Sequence, residues 1–263
     1  MFPQFEFLGR TIGCYGLCSL IGLVLCVLLA FFLGKRFRYT FADILLLTLS
    51  IGGGIFIGGH LLFAVTQLKS IVTVILAVGK APASLIVRAL AECFGGMVYY
   101  GGFLGGVVAE LIHSKLSKCV NYPHTMDLYT AMVPLFHTFG RIGCFLGGCC
   151  YGKEWSWGFA AAENAIVPDM AGPVRIPVQL MEAGMNLLIF GVLLTFFLKR
   201  TFEGRLIYTY LLIYPVVRFF LEFLRGDALR GIFWGLSTSQ WISLALFVFA
   251  LIRTVSASQP QSQ

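Results

Sequence analysis

The chain has 263 residues, of which 58% are apolar and 12% are charged, and its mean hydropathy is +0.86. Soluble domains carry about twice that charged share, roughly 25%, so the composition excludes a soluble globular domain and predicts a polytopic membrane protein. The formal net charge of +7 does not by itself indicate nucleic-acid binding. Basic residues in short loops of a membrane protein also anchor its cytoplasmic side and attract anionic headgroups.

Apolar runs predict an all-α integral membrane protein with about seven transmembrane helices, because a span needs about 20 apolar residues. The predicted helices cover residues 14–34, about 43–66, about 95–112, about 127 to the stretch around 141, 176–198, about 206–224 and about 236–252. The first run lacks a basic leader and is followed by Lys35, Arg36 and Arg38. We therefore expect a retained helix rather than a cleaved signal peptide, with the N-terminus outside and the C-terminus in the cytoplasm.

The segments between the helices complete the predicted organisation, a single membrane domain over residues 1–253. Residues 67–91 contain an apolar run too short to span, flanked by basic residues, which is typical of an interfacial arm. Residues 153–175 are polar and long enough to form a small head on the outer face. The Ser/Gln-rich residues 254–263 are expected to be a disordered tail.

The most unusual interval, residues 139–152, places a lone Arg141 at the end of an apolar run. Five glycines surround this arginine: Gly140, Gly143, Gly147, Gly148 and Gly152. An arginine at membrane depth is costly unless an anion or an internal partner balances it. Glycines let a ligand or another backbone approach closely, so the interval predicts a cradle for a phosphate or carboxylate. The alternative is a tight helix interface with an arginine that reaches towards the headgroups.

A second charged cluster lies in the sixth predicted helix. Arg218, Glu222 and Arg225 are spaced i, i+4 and i+7 and therefore share one helix face. If Arg141 and Arg218 converge, the site carries excess positive charge at membrane depth, for which a phospholipid phosphate is the natural ligand. The alternative is an ion-paired network that only holds helices together.

Other polar residues have two interpretations each. Asp127 could contact a ligand or cap a helix N-terminus, and Gln179 and Glu182 could bind a headgroup or bridge helices. Of the eight cysteines, most lie in apolar runs, where cysteine acts as a small hydrophobe. Cys144, Cys149 and Cys150, with His137 upstream, could form a metal site, but no CxxC pair is present and we predict no metal.

These motifs resemble those of the bacterial prolipoprotein diacylglyceryl transferases. Residues 140–152, GRIGCFLGGCCYG, resemble the family signature G-R-x-G-N-F-x-N-x-E-x-x-G, and residues 218–225, RFFLEFLR, resemble R-F-x-x-E-x-x-R. In the first half of the chain, Tyr15-Gly-Leu17 resembles the family's Y-G-L, residues 99–105 resemble H-G-G-L-x-G, and Asp127 matches an acid that precedes the signature. In the second half, residues 177–182 resemble P-x-Q-L-Y-E and residues 235–240 resemble G-x-S-x-x-Q. The likeness covers most of the chain.

The resemblance implies a seven-helix enzyme of the bacterial inner membrane. It would transfer the diacylglyceryl group of phosphatidylglycerol to the lipobox cysteine thiol of a prolipoprotein signal peptide, forming a thioether and releasing glycerol phosphate. The implied partners are this lipid, prolipoproteins and the bilayer, with no nucleic acid, cofactor or metal. The implied catalytic residues are Arg141, Arg218 and Tyr100. The implied substrate-binding residues are Tyr15, Asp127, Gly143, Cys144, Cys149, Gly152, Gln179, Glu222 and Arg225.

The sequence departs from the family pattern at several polar positions. The usual histidine is Tyr100, the signature asparagine is Cys144, its acid is Cys149, and the second-helix G-R pair is Gly59-His60. A phenol is a weaker general base than an imidazole at neutral pH. Two alternatives therefore stand beside lipoprotein modification: a phospholipid-dependent transferase with another acceptor, and a non-catalytic lipid-binding or transport protein.

Overall fold

The computed structural model describes residues 3–7, 10–79, 81–117, 122–160, 172–226 and 232–258. Its helices are α1 (Cys14–Gly34), α2 (Phe41–Thr66), α3 (Leu68–Leu76), α4 (Ala83–Phe94), α5 (Tyr99–Leu116), α6 (Tyr122–Gly147), α7 (Val178–Leu198), α8 (Leu206–Glu222) and α9 (Thr238–Ser258). Its short strands are β1 (Gln4–Phe7), β2 (Arg10–Gly13), β3 (Glu154–Phe159), β4 (Ile232–Phe233) and β5 (Leu236–Ser237). β1 pairs antiparallel with β2, and β4 with β5.

The predicted helical membrane protein is confirmed, but the count of seven spans is not. Among the described helices, four are long and apolar enough to cross a membrane: α1, α2, α7 and α9. α4 and α5, bent by 79° at the break between them, add a fifth if they are counted as one span. α8 has only 17 residues, and α6 carries buried Thr125, Asp127 and Thr130 in place of apolar side chains.

The segments that the sequence analysis placed between the membrane helices contain helices and a strand in their described parts. The arm at 67–91 contains α3 and most of α4, which pack on each other. In the head at 153–175, strand β3 forms backbone bridges to Arg175, whereas residues 161–171 lie outside the described part. α9 continues to Ser258, inside the predicted tail, and 259–263 are again outside the description.

The chain divides into two compact units, one of residues 33–126 and one of residues 1–32 with 127–263. In the unit 33–126, α2 starts at a capping box, in which Thr40 Oγ1 accepts from Asp43 N (3.2 Å) and Asp43 Oδ2 accepts from Thr40 N (2.8 Å).

α2 then packs along α5. Gly54 and Gly58 face Gly101 and Gly105 so closely that a methyl group at any of the four would overlap the opposite backbone. These glycines permit a backbone-to-backbone approach typical of membrane helices.

In the unit of residues 1–32 and 127–263, α1 packs on α6. An added methyl group at Gly22 would lie 2.8 Å from Phe139 Cβ, and one at Gly143 would lie 3.1 Å from Tyr15 Cα. The Cys26 thiol donates to the Met132 carbonyl at 3.6 Å. α7 packs against α8, and α8 against α9.

Candidate active site

The site is built around the carboxylate of Glu182, on α7, of which only 1% is exposed. Arg141 Nη2, from α6, donates to Glu182 Oε1 at 3.0 Å, and Arg141 Nε lies 3.0 Å from Oε2 without the alignment of a hydrogen bond. Arg218 Nη1, from α8, donates to Glu182 Oε2 at 3.2 Å. Arg141 and Arg218, from the two predicted clusters, are therefore both ion-paired with the same carboxylate.

Neighbouring side chains complete this cluster. The Tyr214 hydroxyl donates to Glu182 Oε1 at 3.1 Å, and His137 Nε2 lies 3.6 Å from the same oxygen. Arg218 Nη2 forms an ion pair with Glu222 Oε2 at 2.8 Å and lies 3.5 Å from Ser239 Oγ. Groups from α6, α7, α8 and α9 thus surround the two guanidinium groups.

The electrostatics of the cluster differ from the sequence prediction. Arg141 and Arg218 do converge, as the motifs predicted, but Glu182 and Glu222 pair with them, so these four charges cancel formally. The predicted excess of positive charge was wrong because the role of Glu182 as their common partner was not recognised. Buried charges need such partners, since an unpaired ion in a dry environment costs several kcal/mol.

The two arginines are not equivalent. Both terminal nitrogens of Arg218 contact other side chains in the site, and 7% of the side chain is exposed. Arg141 is 12% exposed and, among the described residues, uses Nη2 and Nε for Glu182. Its remaining terminal nitrogen, Nη1, is therefore the better placed of the guanidinium donors to receive an anion.

Several of the other predicted residues lie near the end of α6 and the turn that follows it. Gln179 Nε2 donates to the Cys149 carbonyl at 2.7 Å, so this amide holds the turn. Gly143 packs on α1 beside Tyr15, a residue that is 48% exposed. Cys144 is buried, and its thiol lies with those of Cys149 and Cys150 in a cluster within 4.8 Å, a set that could hold a metal ion.

The end of α8 lies earlier than the sequence predicted. The helix stops at Glu222, so Arg225 lies beyond it and does not share the helix face of Arg218 and Glu222. Instead, Arg225 forms an antiparallel backbone bridge with Gly152, flanked by bonds from Lys153 N to the Leu224 carbonyl (2.9 Å) and from Gly226 N to the Tyr151 carbonyl (3.0 Å). Gly152 packs against the Ile176 backbone, which explains why a side chain is not accommodated there.

Asp127 lies at the far end of α6 from Arg141, about 20 Å away along the helix axis at 1.5 Å per residue. Its carboxylate accepts hydrogen bonds from Leu206 N (3.0 Å) and from Gly204 N, at the start of α8. The structure therefore gives Asp127 the capping role that the sequence left open, although at α8 rather than at its own helix.

Asp127→Ala is expected to destabilise the protein by about 0.5–2 kcal/mol, the range for loss of an N-cap. Because the carboxylate does not touch the arginine cluster, turnover per folded molecule should stay at the wild-type value. Thermal unfolding in detergent, together with initial rates normalised to folded protein, measures both quantities. A fall in the normalised rate with unchanged unfolding would instead make Asp127 a substrate contact.

Tyr100 belongs to the other unit, on α5. The residue is buried and its ring centroid lies 5.6 Å from that of Tyr99. Its predicted catalytic role stays a prediction.

Three residues of the cluster were not in the predicted site. Glu182 had been noted as a residue that binds a headgroup or bridges helices, His137 as a possible metal ligand, and Tyr214 not at all. The signal for Glu182 was available, since a carboxylate inside an apolar helix needs a cationic partner. Tyr214 carried no such signal, because a tyrosine in an apolar run is common at membrane interfaces.

Comparisons with known proteins identify the family of this chain. The family model described as prolipoprotein diacylglyceryl transferase matches residues 4–256. A phosphatidylglycerol–prolipoprotein diacylglyceryl transferase of Clostridium tetani is 33% identical over 95% of this chain and 96% of its own length. A second enzyme of that name, from Clostridium perfringens, is 32% identical over 94% of this chain and 91% of its own. The resemblance identified from the motifs is confirmed: the chain belongs to the prolipoprotein diacylglyceryl transferase family.

Proposed function

We propose that this protein transfers the diacylglyceryl group of phosphatidylglycerol to the lipobox cysteine thiol of prolipoproteins. Relatives that cover nearly the whole chain carry the name of this reaction. The observation that carries the proposal is the Arg141–Glu182–Arg218 cluster, because it places a partly open guanidinium among buried charges. A phosphate diester in a membrane-embedded site needs such a donor.

The proposed chemistry is a displacement at a glycerol carbon. The acceptor thiolate attacks the carbon that bears the phosphate ester, a carbon–sulfur bond forms, and the carbon–oxygen bond breaks with its electron pair retained by the phosphate oxygen. Glycerol phosphate leaves, and the thioether remains on the peptide. Charge grows on the phosphate oxygens during this step, so a guanidinium aimed at them lowers the barrier.

The contacts of each residue indicate its role in the proposed reaction. Arg141, through Nη1, binds the phosphate and stabilises the leaving oxygen. Arg218 positions Glu182 and balances its charge, and Glu182 in turn fixes the plane of the Arg141 guanidinium. Tyr214 helps to hold the carboxylate through its 3.1 Å hydrogen bond. Preorganisation of this kind avoids reorientation of the donors during the reaction.

The remaining proposals concern placement in the cell. We place the protein in the bacterial cytoplasmic membrane, with the N-terminus outside and the C-terminus in the cytoplasm, where both phosphatidylglycerol and prolipoprotein signal peptides are present. The apolar helices α1, α2, α7 and α9 support a multi-pass arrangement. Tyr15, Gly143 and the turn that includes Cys149 would line the approach of the substrates to Arg141. For Tyr100, in the other unit, the family resemblance implies a role in proton transfer.

The proposal is tested by incubating purified protein with phosphatidylglycerol vesicles and a lipobox peptide, and weighing the peptide by mass spectrometry. The wild type should add the diacylglyceryl mass, and Arg141→Ala should lower the rate at least about 100-fold, as loss of a transition-state donor does elsewhere. Arg175→Ala is the matched control. Its side chain is also 12% exposed and is ion-paired with Glu154 at 3.2 Å, but it lies outside the cluster.

The control should keep most of the wild-type rate. Consumption of phosphatidylglycerol without a change in peptide mass would indicate a different acceptor. No consumption by well-folded wild type would contradict the proposed reaction.

A further inference from the structure

Three thiols meet beside the arginine cluster. The sulfur atoms of Cys144, Cys149 and Cys150 all lie within 4.8 Å of one another. Cys144 is in the last turn of α6, whereas Cys149 and Cys150 are in the turn that follows. A cysteine in an apolar helix usually acts as a small hydrophobe, but three thiols that share one space form a potential ligand set.

The backbone of the turn is shaped to bring these thiols together. Gly148 and Cys150 have positive φ angles of 70° and 57°, which reverse the chain after α6. Cys150 adopts this left-handed conformation although it is not a glycine, at a cost that surrounding contacts must offset. Two bonds fix the turn: Cys149 N donates to the Cys144 carbonyl at 3.0 Å, and Gln179 donates to the Cys149 carbonyl at 2.7 Å.

The geometry matches a thiophilic metal ion. Zinc–thiolate bonds are about 2.3 Å long, so two sulfurs on a tetrahedral ion are separated by about 3.8 Å. The observed separations of up to 4.8 Å require only small side-chain rotations to reach this value. Thiolate sets of this kind select zinc or copper(I) rather than magnesium or calcium.

The surrounding charge also suits such an ion. Three thiolates and one divalent cation form a complex of net charge −1, and Arg141 interacts electrostatically with both Cys144 and Cys150. Arg141 is one helical turn before Cys144, so the guanidinium can stabilise the anionic complex. Cys149 and Cys150 are only partly buried, which leaves a path to the ion.

We infer that Cys144, Cys149 and Cys150 form a three-thiolate site for a divalent ion of the zinc class, with the fourth coordination position open to the acceptor thiol. The role in catalysis rests on the proposed function. Three protein ligands with one open position are the pattern of catalytic rather than structural zinc. Against the expectation from the sequence, the chain would then bind a metal.

The open position supplies a route for activation of the acceptor. The incoming lipobox thiol binds the ion and releases its proton to water, because a thiol bound to zinc is deprotonated. The resulting sulfur attacks the glycerol carbon, and the electron pair of the broken carbon–oxygen bond leaves with the phosphate. The thioether product carries no charge on sulfur and is a weaker ligand, so it dissociates. This route would reduce the need for a general base at Tyr100.

Cobalt(II) is the probe for the site, since its thiolate complexes absorb through sulfur-to-metal charge transfer. The full-length, reduced protein should bind one cobalt ion per chain with this absorption, and zinc should displace it. The double variant Cys144→Ser/Cys149→Ser should lose the absorption, whereas Cys93→Ser, a buried cysteine in the other unit, should keep it. No charge-transfer absorption in the wild type, or the same absorption in the double variant, would overturn the site.

A second measurement needs no variant and therefore does not depend on the folding of one. Bound zinc should protect three cysteines of the wild type from alkylation, as counted by mass spectrometry. Identical alkylation with and without zinc would contradict the inference.

The acceptor step is tested on the cobalt-loaded protein with a lipobox peptide and its Cys→Ser version. Only the cysteine peptide should shift the absorption. Transfer at the full wild-type rate by protein shown to contain no ion would refute the catalytic role while leaving the proposed function intact. Cobalt binding and a peptide-induced shift without any transfer would support the site and contradict the proposed function.

Discussion

Glu182→Gln is expected to reduce transfer at least about 100-fold, a loss comparable to that caused by removal of a transition-state donor. Glutamine keeps the shape of the side chain but removes the charge that Arg141 and Arg218 share. The two guanidinium groups would then repel each other and turn away from the arrangement that presents Nη1 to the phosphate. Initial rates with phosphatidylglycerol vesicles and a lipobox peptide measure this loss.

Stability should fall in the same variant, by about 3–5 kcal/mol, as when one partner of a buried ion pair is removed. Glu222→Gln is the matched control, because Glu222 contacts Arg218, at 2.8 Å, but has no contact with Arg141 in the described site. We expect a smaller loss of rate there. If both variants lost activity equally, the special role of Glu182 as the shared partner would be wrong.

Gly54→Ala is expected to destabilise the protein by separating α2 from α5. A methyl group at Gly54 would overlap the Gly105 carbonyl and lie 2.5 Å from Ala109 Cβ, so α2 and α5 would have to separate. Overpacking of this kind costs about 1–3 kcal/mol, and more where the obstacle is backbone. The midpoint of thermal unfolding in detergent and the yield of monodisperse protein report the effect.

Gly53→Ala provides the control, since an added methyl group at that position of α2 meets no atom of the described residues within 4 Å. Alanine is the better helix former by about 1 kcal/mol, so this variant should be as stable as the wild type or more so. Equal destabilisation by the two alanines would mean that α2 and α5 do not pack through Gly54.

The helices could be predicted from the sequence to within a few residues. The first and fifth were expected at 14–34 and 176–198 and are found at Cys14–Gly34 and Val178–Leu198. Long apolar runs bounded by charge or proline define such ends locally. The pairing of β1 with β2 was not anticipated, because the two strands are only four residues long and precede the first long apolar run.

The exact end of α8 could not be predicted from the sequence. Gly226 marks a helix end nearby, and the predicted end at about 224 lies two residues beyond the observed one at Glu222. The helix ends because the segment 224–226 pairs with the segment 151–153, about 70 residues earlier in the chain. Spacing rules for a helix face apply only while the helix lasts, so the placement of Arg225 followed from a contact that no local pattern reveals.

The sequence predicted the two arginines of the site but not the carboxylates with which they pair. Arg141 and Arg218 stood out because single charges in apolar runs are conspicuous. Their meeting on Glu182 joins residues 41 and 36 positions apart in the chain, and such a pairing depends on how α6, α7 and α8 pack. The likeness to a family signature identified the interval but could not indicate which acid each arginine contacts.

The balance of charge around Glu182 bears on product release. Glycerol phosphate leaves as a dianion, and a site with two unpaired guanidinium groups would hold it tightly and slow each catalytic cycle. Here both arginines already have carboxylate partners, which offset their positive charge. If Arg141 binds the phosphate as proposed, the same acids that hold the guanidinium groups in place would weaken the hold on the departing dianion and so favour its exit.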